Sequence, residues 1–457
     1  MEVWDLMVLE SQQIKVTLLS LGCNKNLVDS EVMLGLLERE GYLFVADPDE
    51  ADVLIVNTCG FIEEAKKEAV ETIVEMGTYK EQGRCRSLIV TGCLVQRYAD
   101  ELAQELPEID ALLGTGDFHR IVPVVEETLA GRQCRFTGPP RARFPGQWPR
   151  LLSQAGPSAY LKIAEGCNNH CSYCIIPQLR GPLQSRSQED IVEEAQALAQ
   201  LGIKEVILIA QDTTRYGEDI YGEPALPELL RRLARIEGIS WIRLLYCYPS
   251  RLSPQLIKVF KEEPKVLHYV DIPLQHVSNR ILARMNRKQT KEEILALIER
   301  LRTEIPDIAI RTSFIVGFPG ETEAEFAELL DFIAEVRFDR AGFFIYSQEE
   351  GTPAAAYRDQ LPEKEKKLRY DAAMELQRSI SAEKNRQWLG KELDVLLEGK
   401  GPDEGLMVGR SYRDAPEIDG LIYVAAPEEA WGNIVKVQIT GADDYDLRGE
   451  VRGEFGQ

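Results

Sequence analysis

EGCNNHCSYCIIP, residues 165–177, carries three closely spaced cysteines, Cys167, Cys171 and Cys174. The run follows AYLKI, a short apolar stretch with strand character, and the loop leaving such a strand can wrap three thiolates around one metal centre. A zinc ion with a fourth ligand from elsewhere is the ordinary alternative. His170 adjoins Cys171 and competes for the same turn, so it reads as a loop residue and not as that fourth ligand. A cluster of four irons held by three thiolates keeps one iron open to an outside ligand, as catalytic metal sites keep an open position.

Working outward, the candidate strands AYLKI, EVILIA, WIRLLY, HYVDI, IRTSFIV and AGFFIY alternate with segments of helical periodicity such as DIVEEAQALAQLG and KEEILALIERLRTEIP. Repeated strand-helix units predict a parallel sheet, open or partly closed as a barrel, over residues 158–388. Upstream, FTGPPRARFPGQWPRLLSQAGP at 136–157 has five prolines and no acidic residue and reads as a linker. Before it, residues 14–135 alternate apolar runs (KVTLLSL, VLIVNTC, SLIVTGC) with amphipathic stretches, the pattern of a small α/β domain. In the second of its helices, expected over Ile62–Met76, Ile62, Ala65, Ala69 and Ile73 make the inward face, while Glu63, Glu64, Lys66 and Lys67 stay wet. After Trp388 the short strands LDVLLEG, GLMVGRSY, GLIYVAA and NIVKVQIT predict a small β-barrel over 389–457.

The chain has 457 residues, enough for several domains. Its 53 Lys plus Arg against 75 Asp plus Glu give a net charge of -22, which argues against a general polyanion-binding surface. The start, MEVWDLMVLESQQ, lacks a basic region with a long apolar core, and no stretch approaches the roughly 18 apolar residues that span a bilayer. A cytoplasmic protein without membrane association is expected. The nine cysteines are an odd set in a long chain, which favours ligand or reactive roles over a disulfide framework.

Cys23, Cys59 and Cys93 each follow a strand-like run, in SLGC, IVNTC and VTGC, and parallel strands release such ends on one side of the sheet. Separations of 36 and 34 residues can therefore collapse to a shared site, although three small buried core residues would look the same. Asn24, Asn57, Thr58 and Gly60 can support turns and donate hydrogen bonds around sulfur, and Gly22 and Gly92 would permit close backbone approach. Cys85, Cys134 and Cys247 fit neither triplet and read as non-ligands.

The central triplet, with Tyr173 before its last cysteine, resembles that of the radical S-adenosylmethionine (SAM) enzymes, and the three earlier cysteines make nearly the whole chain look like a methylthiotransferase. Closer matches to the branch acting on ribosomal protein are LGCNKNLVDSE (21–31), LIAQDTTRYG (208–217), YVDIPLQH (269–276), RTSFIVGFPGETE (311–323) and VGRSYRDAPEIDG (408–420). Asn24 departs from the proline common in that branch and leaves the ligands intact. The resemblance implies an α/β fold in three parts: an N-terminal α/β cluster domain, a central partial (β/α) barrel of radical SAM type and a C-terminal all-β TRAM barrel. It further implies two 4Fe-4S clusters, one on Cys23, Cys59 and Cys93, the other, catalytic, on Cys167, Cys171 and Cys174.

In that family the unique iron of the central cluster is chelated by the amino and carboxylate groups of SAM, whose cleavage yields the 5'-deoxyadenosyl radical. Expected neighbours of SAM are Tyr173, beside the adenine or simply packed; Gln211 and Asp212, at a strand end, with Asp212 suited to an ammonium or to a helix cap; and Gly317, Pro319 and Gly320, where small residues admit a ligand. Gln275, His276 and Arg311 are further polar contacts or satisfied interior hydrogen bonders.

The family adds a methylthio group either to the aspartate β-carbon of small-subunit ribosomal protein twelve or to isopentenylated adenosine in tRNA. Lys391–Gln457 holds seven Lys plus Arg and fifteen Asp plus Glu, a poor match to phosphate and a better one to a basic protein. The ribosomal protein is the expected substrate, free or within the ribosome, with a low-potential donor such as flavodoxin or ferredoxin; RNA binding is not expected to dominate. A nonenzymatic, metal-stabilised ribosome-associated protein is the contrasting reading.

Overall fold

Strands β1 (Lys15–Ser20), β2 (Leu43–Phe44), β3 (Val53–Thr58), β4 (Ser87–Gly92), β5 (Ala111–Leu113) and β6 (Cys134–Phe136) form one sheet in the order β2-β1-β3-β4-β5-β6 in the computed structural model. All five pairings are parallel. Residues 13–140 and 148–452 are described; the start of the chain, the centre of the expected linker and the last residues of the C-terminal stretch lie outside them. Two compact units result, one reaching Ser153 and including Gln178–Arg180, the other formed by Gln154–Pro177 and Gly181 onward.

In the first unit β3 and β4 are buried along their whole length, as a sheet covered on both faces requires. Alternate side chains serve different cores. Val53, Ile55 and Ile89 pack with Val32, Met33, Leu37, Val124 and Val125, whereas Leu54, Val56, Leu88 and Val90 pack with Ala69, Ile73, Leu94 and Val95. The second helix begins at Glu63, after Ile62, and runs past Met76 to Gln82. Lys66 departs from the fully wet face expected of it: its side chain is only 16% exposed, pairs with Glu63 and lies 5.7 Å from the centre of the Tyr98 ring. A lysine stem can cover apolar surface while its ammonium keeps a partner.

The second unit starts with β7 (Ser158–Lys162), followed by a short antiparallel pair, β8 (Ala164–Glu165) and β9 (Gln184–Ser185), which brackets the cysteine loop. Then come β10 (Glu205–Ile209), β11 (Trp241–Leu244), β12 (Tyr269–Gln275), β13 (Ala309–Val316) and β14 (Arg340–Ile345). They form two parallel three-stranded ladders, β11-β10-β7 and β12-β13-β14. A parallel bridge from Ile242 to Val266 and a Cys247 N–H···O Asp271 bond of 2.9 Å join them. The six strands therefore make a partial barrel, in which β7 and β14 do not pair. Thr290 and Thr322 start two of its helices with reciprocal capping boxes to Glu293 and Glu325.

Strands β15 (Glu392–Lys400), β16 (Leu406–Ser411), β17 (Ile422–Ala425), β18 (Ile434–Ala442) and β19 (Leu447–Val451) close a separate barrel in the order β15-β16-β17-β19-β18. Leu393, Val395, Leu397, Val424, Val437 and Ile439 fill it. No helix among the described residues is long and apolar enough to cross a membrane.

The closed barrel belongs to the second unit because buried charges tie it to the starts of the partial-barrel strands. Glu205, at the first position of β10, accepts from Arg243 Nε at 2.6 Å and from Arg410 Nη2 at 2.5 Å, and all three side chains are essentially inaccessible. Arg410 also reaches Glu398 and Ser158. Arg340 pairs with Asp414, and the Tyr269 hydroxyl donates to Asp419 at 2.6 Å. Burial opposes ionisation of Glu205, but the charges of Arg243 and Arg410 outweigh it and hold the carboxyl at about 2. A depressed carboxylate contributes stability above its unfolded value and loses it as pH falls toward the folded one. Glu205→Gln leaves two buried guanidinium groups short of a partner and should cost about 3–5 kcal/mol at neutral pH. Parallel denaturation of both proteins should show this difference narrowing as pH drops from about 4.5 toward 2.

Candidate functional site

Adjacent parallel strands gather the first three cysteines. Cys23 follows β1 and precedes the helix Asn24–Arg39; Cys59 directly follows β3; Cys93 opens the helix Cys93–Glu105 after β4. The backbone just before Cys23 passes close to Cys59: a Cβ added to Gly22 would lie 2.6 Å from Cys59 Cβ and 3.1 Å from its sulfur, at a φ of +88°. Burial pushes the Cys93 thiol up to about 12; Arg180 opposes this, while the neighbouring sulfurs of Cys23 and Cys59 add to it. Burial also raises the Cys59 thiol.

Polar groups around this triplet differ in part from those expected. Asn57 donates to Asn26 O and Ser30 Oγ, both at 2.9 Å, and Thr58 Oγ1 to Thr91 O at 2.6 Å, so both brace backbone and helix instead of sulfur. Gly60 and Gly92 are needed for close packing, against Leu94 and against Asn57 and Thr58. The sulfur of Cys93 instead meets Asn26 Oδ1, at 4.0 Å. Arg180, only 3% exposed, donates to Asp29 Oδ2 at 2.7 Å and to Asn26 Oδ1. Asn26, Asp29 and Arg180 were not legible as site residues, because nothing in their spacing marks them.

In the second unit Gly166 has a φ of +76°, and a Cβ there would overlap the Pro182 carbonyl oxygen. This tight crossing starts the cysteine loop. Cys167 N–H donates to Gly181 O at 3.0 Å, its sulfur accepts from Asn169 N–H at 3.3 Å, and Cys174 N–H closes a turn on Cys171 O at 3.1 Å. Burial raises Cys167 to about 11 and Cys174 to about 12, and in both cases the sulfur of Cys171 adds to the effect. All nine cysteines are free thiols. Among the described residues no three His, Cys, Asp or Glu side chains converge as ligands of a single metal ion. Cys167, Cys171 and Cys174 share one loop, and Cys23, Cys59 and Cys93 follow three neighbouring strands, so each set offers thiolates of the kind that iron-sulfur clusters take.

The expected neighbours of SAM fare unevenly. Gln211 donates to Glu165 Oε1, and its own Oε1 is buried without a partner among the described residues. Asp212 serves as a cap: it accepts from Thr214 N–H at 3.1 Å, while Asn169 and Arg251 occupy its other oxygen at 2.7 and 3.1 Å. Arg311 lies near the start of β13 and pairs with Asp271 at 2.8 Å and Asp419 at 3.4 Å, so it braces the strand-start end of the barrel. Gln275 ends β12 with a φ of +73°. His276 is fully buried, accepts from Ser278 N–H on Nδ1, and turns Nε2 to 4.0 Å from Glu321. Tyr173 packs against Ile281, Met285, Phe318 and Tyr346. Gly317 and Gly320 are required by protein neighbours, since a Cβ would strike Lys366 at the first and Asp359 at the second. Glu321 accepts from the amides of Gly317 and Phe318 at 2.5 and 3.0 Å and so holds that turn, of which Pro319 is part.

Profiles of three families match the chain: the Radical SAM superfamily over 161–333, the Uncharacterized protein family UPF0004 over 15–114 and the TRAM domain over 389–451. The fold resembles that of the radical S-adenosylmethionine methyltransferase TsrM from Kitasatospora setae, with a TM-score of 0.56 at 16% identity over 87% of this chain and 77% of that one. This is the radical SAM class of protein. Ribosomal protein uS12 methylthiotransferase RimO of Geobacter sulfurreducens is 52% identical over 439 residues, 96% of this chain and 98% of that protein. RimO of Desulforamulus reducens is 53% identical over 440 residues, 95% of this chain and 99% of that protein. The chain belongs to the ribosomal protein uS12 methylthiotransferase family, the branch its motifs resemble.

The loop geometry has a direct check. Gly166→Ala should destabilise the second unit by roughly 2–3 kcal/mol, combining backbone strain with overlap on Pro182. Gly202→Ala, at a φ of +91° with open space around it, should cost only about 1–2 kcal/mol. Urea denaturation of the two variants measures the difference.

Proposed function

We propose that Cys167, Cys171 and Cys174 hold a 4Fe-4S cluster with an iron open to SAM, and that Cys23, Cys59 and Cys93 hold a second 4Fe-4S cluster. The chain then adds a methylthio group to the β-carbon of an aspartate in ribosomal protein uS12. When bound, the cluster and SAM supply the radical chemistry that such an unactivated C–H bond needs, since a side-chain base would face an extremely weak acid.

The single observation that carries this reading is the pair of three-cysteine sites, each at the carboxyl ends of parallel strands in its own unit. The protein's own work is positional. The Gly166 crossing and the Cys171–Cys174 turn set the spacing of one triplet; Gly22 and three neighbouring strands set that of the other. Gln211, whose Oε1 is buried with no hydrogen-bond partner among the described residues, supplies a polar contact to SAM, and Tyr173 and the Gly317–Gly320 turn wall the same end. Asp212 holds this end by capping its turn, and Arg311 braces the opposite, strand-start end. The acidic C-terminal stretch suits a basic protein substrate. The reaction belongs in the cytoplasm and draws on a low-potential donor such as flavodoxin or ferredoxin.

Anaerobic reconstitution with iron and sulfide, then reductant, SAM and either uS12 or tRNA, tests the assignment by mass spectrometry. A methylthio mass gain on the aspartate of uS12 is expected; a gain on tRNA alone would sink it. Replacing Cys23, Cys59 and Cys93 by Ala should halve the iron, from about eight to about four per chain, and replacing all six should remove it. Unchanged iron in the first variant contradicts the two-cluster reading.

A further inference from the structure

The turn Arg284–Arg287 grips the cysteine loop of the second unit. Ser172 N–H donates to Met285 O at 3.0 Å and Ser172 Oγ to Arg284 O at 2.8 Å, while Asn286 Nδ2 donates to His170 O at 2.6 Å. Asn286 has a φ of +55°, a left-handed conformation that asparagine tolerates better than most residues. The reversal delivers Arg287 to the sulfur. Its Nη1 lies 3.9 Å from Cys171 Sγ, its Nη2 donates to Pro273 O at 2.6 Å, and its guanidinium carbon sits 4.0 Å above the centre of the Tyr248 ring. The residue is 8% exposed, and no carboxylate is hydrogen-bonded to it among the described residues. Nε is buried with no hydrogen-bond partner among those residues.

Burying a guanidinium without a carboxylate is costly unless a negative group nearby compensates. Backbone carbonyl and ring face offset part of this cost. Among the described residues its one side-chain hydrogen-bond partner is the Cys171 sulfur, and a thiolate ligating iron is the anion that fits there. We propose that Arg287 is the positioning cation of the central cluster: it seats Cys171 and, by its buried positive charge, raises the cluster's reduction potential. The more reduced cluster carries one more negative charge, so a fixed cation beside a ligand sulfur favours reduction, and the low local dielectric keeps the effect from being screened. This inference rests on the reading of Cys171 as a cluster ligand.

The test uses the full chain with Cys23, Cys59 and Cys93 replaced by Ala, so that one cluster reports. Without SAM, Arg287→Met should keep the cluster's iron but shift its midpoint to more negative potential in an electron-paramagnetic-resonance titration. A drop of about tenfold in the ratio of reduced to oxidised cluster at a fixed poise is expected, about 59 mV for a one-electron couple. Arg287→Lys should recover most of it. Arg287→Gln, polar but uncharged, should behave as Met and carries the test if the Met variant does not fold. A midpoint unmoved in the folded uncharged variant overturns the proposal, as does weaker SAM binding with no change in potential, which would make Arg287 a SAM ligand instead. Cys171→Ala separates the two readings: retained iron sinks the ligand assignment itself, whereas lost iron with an unmoved Arg287→Met midpoint sinks only the role of Arg287.

Discussion

A parallel strand must be followed by a crossover that returns the chain to its starting edge, so all strands of such a sheet release their chains at the same end. Both units obey this constraint, and both cysteine triplets are products of it. In the first, three neighbouring strands each end within a few residues of a cysteine, and distant positions in the chain become one site without any long-range pairing motif. In the second, a single strand end supplies all three through one loop, whose shape is fixed by a glycine crossing and by the turn that contains Asn286.

The opposite end of the partial barrel is governed by charge. Strand starts present Ser158, Glu205, Arg243 and Tyr269 together, and the closed barrel meets them with Arg410, Asp414 and Asp419. Buried ion pairs gain little over well-packed apolar groups, but each partner is costly to leave alone. Such a surface discriminates: it accepts a complementary set of charges and rejects nearly anything else. Arg311, which lies between Asp271 and Asp419, belongs to this work.

Patterns repeated along the chain were legible in the sequence; partnerships across it were not. Strand-helix alternation, the proline-rich break and the late run of short strands define the architecture because periodicity and turn chemistry are local properties. The cysteines stand out for the same reason. Asp212 could be placed at a strand end and Arg311 on a strand, but whether a carboxylate caps a turn or faces a ligand depends on Thr214 and Arg251, and these partners come from folding. Arg287 sits in RMNRKQT, where no periodicity or ligand spacing marks it, and the turn through the left-handed Asn286 aims it at sulfur. Lys66 follows the helical pattern of a wet face and is nevertheless mostly covered, because Tyr98 arrives from another helix.

Glu205 and Arg243 lie on the partial barrel, while Arg410 lies on the closed one. In evolutionary terms the two barrels are therefore not freely exchangeable modules. A recombination event that grafts a foreign C-terminal barrel onto this chain must import the VGRSYRDAPEIDG stretch with it, or leave Glu205 with Arg243 alone and Arg340 without Asp414. Inheritance of the last domain is thus constrained at the joint.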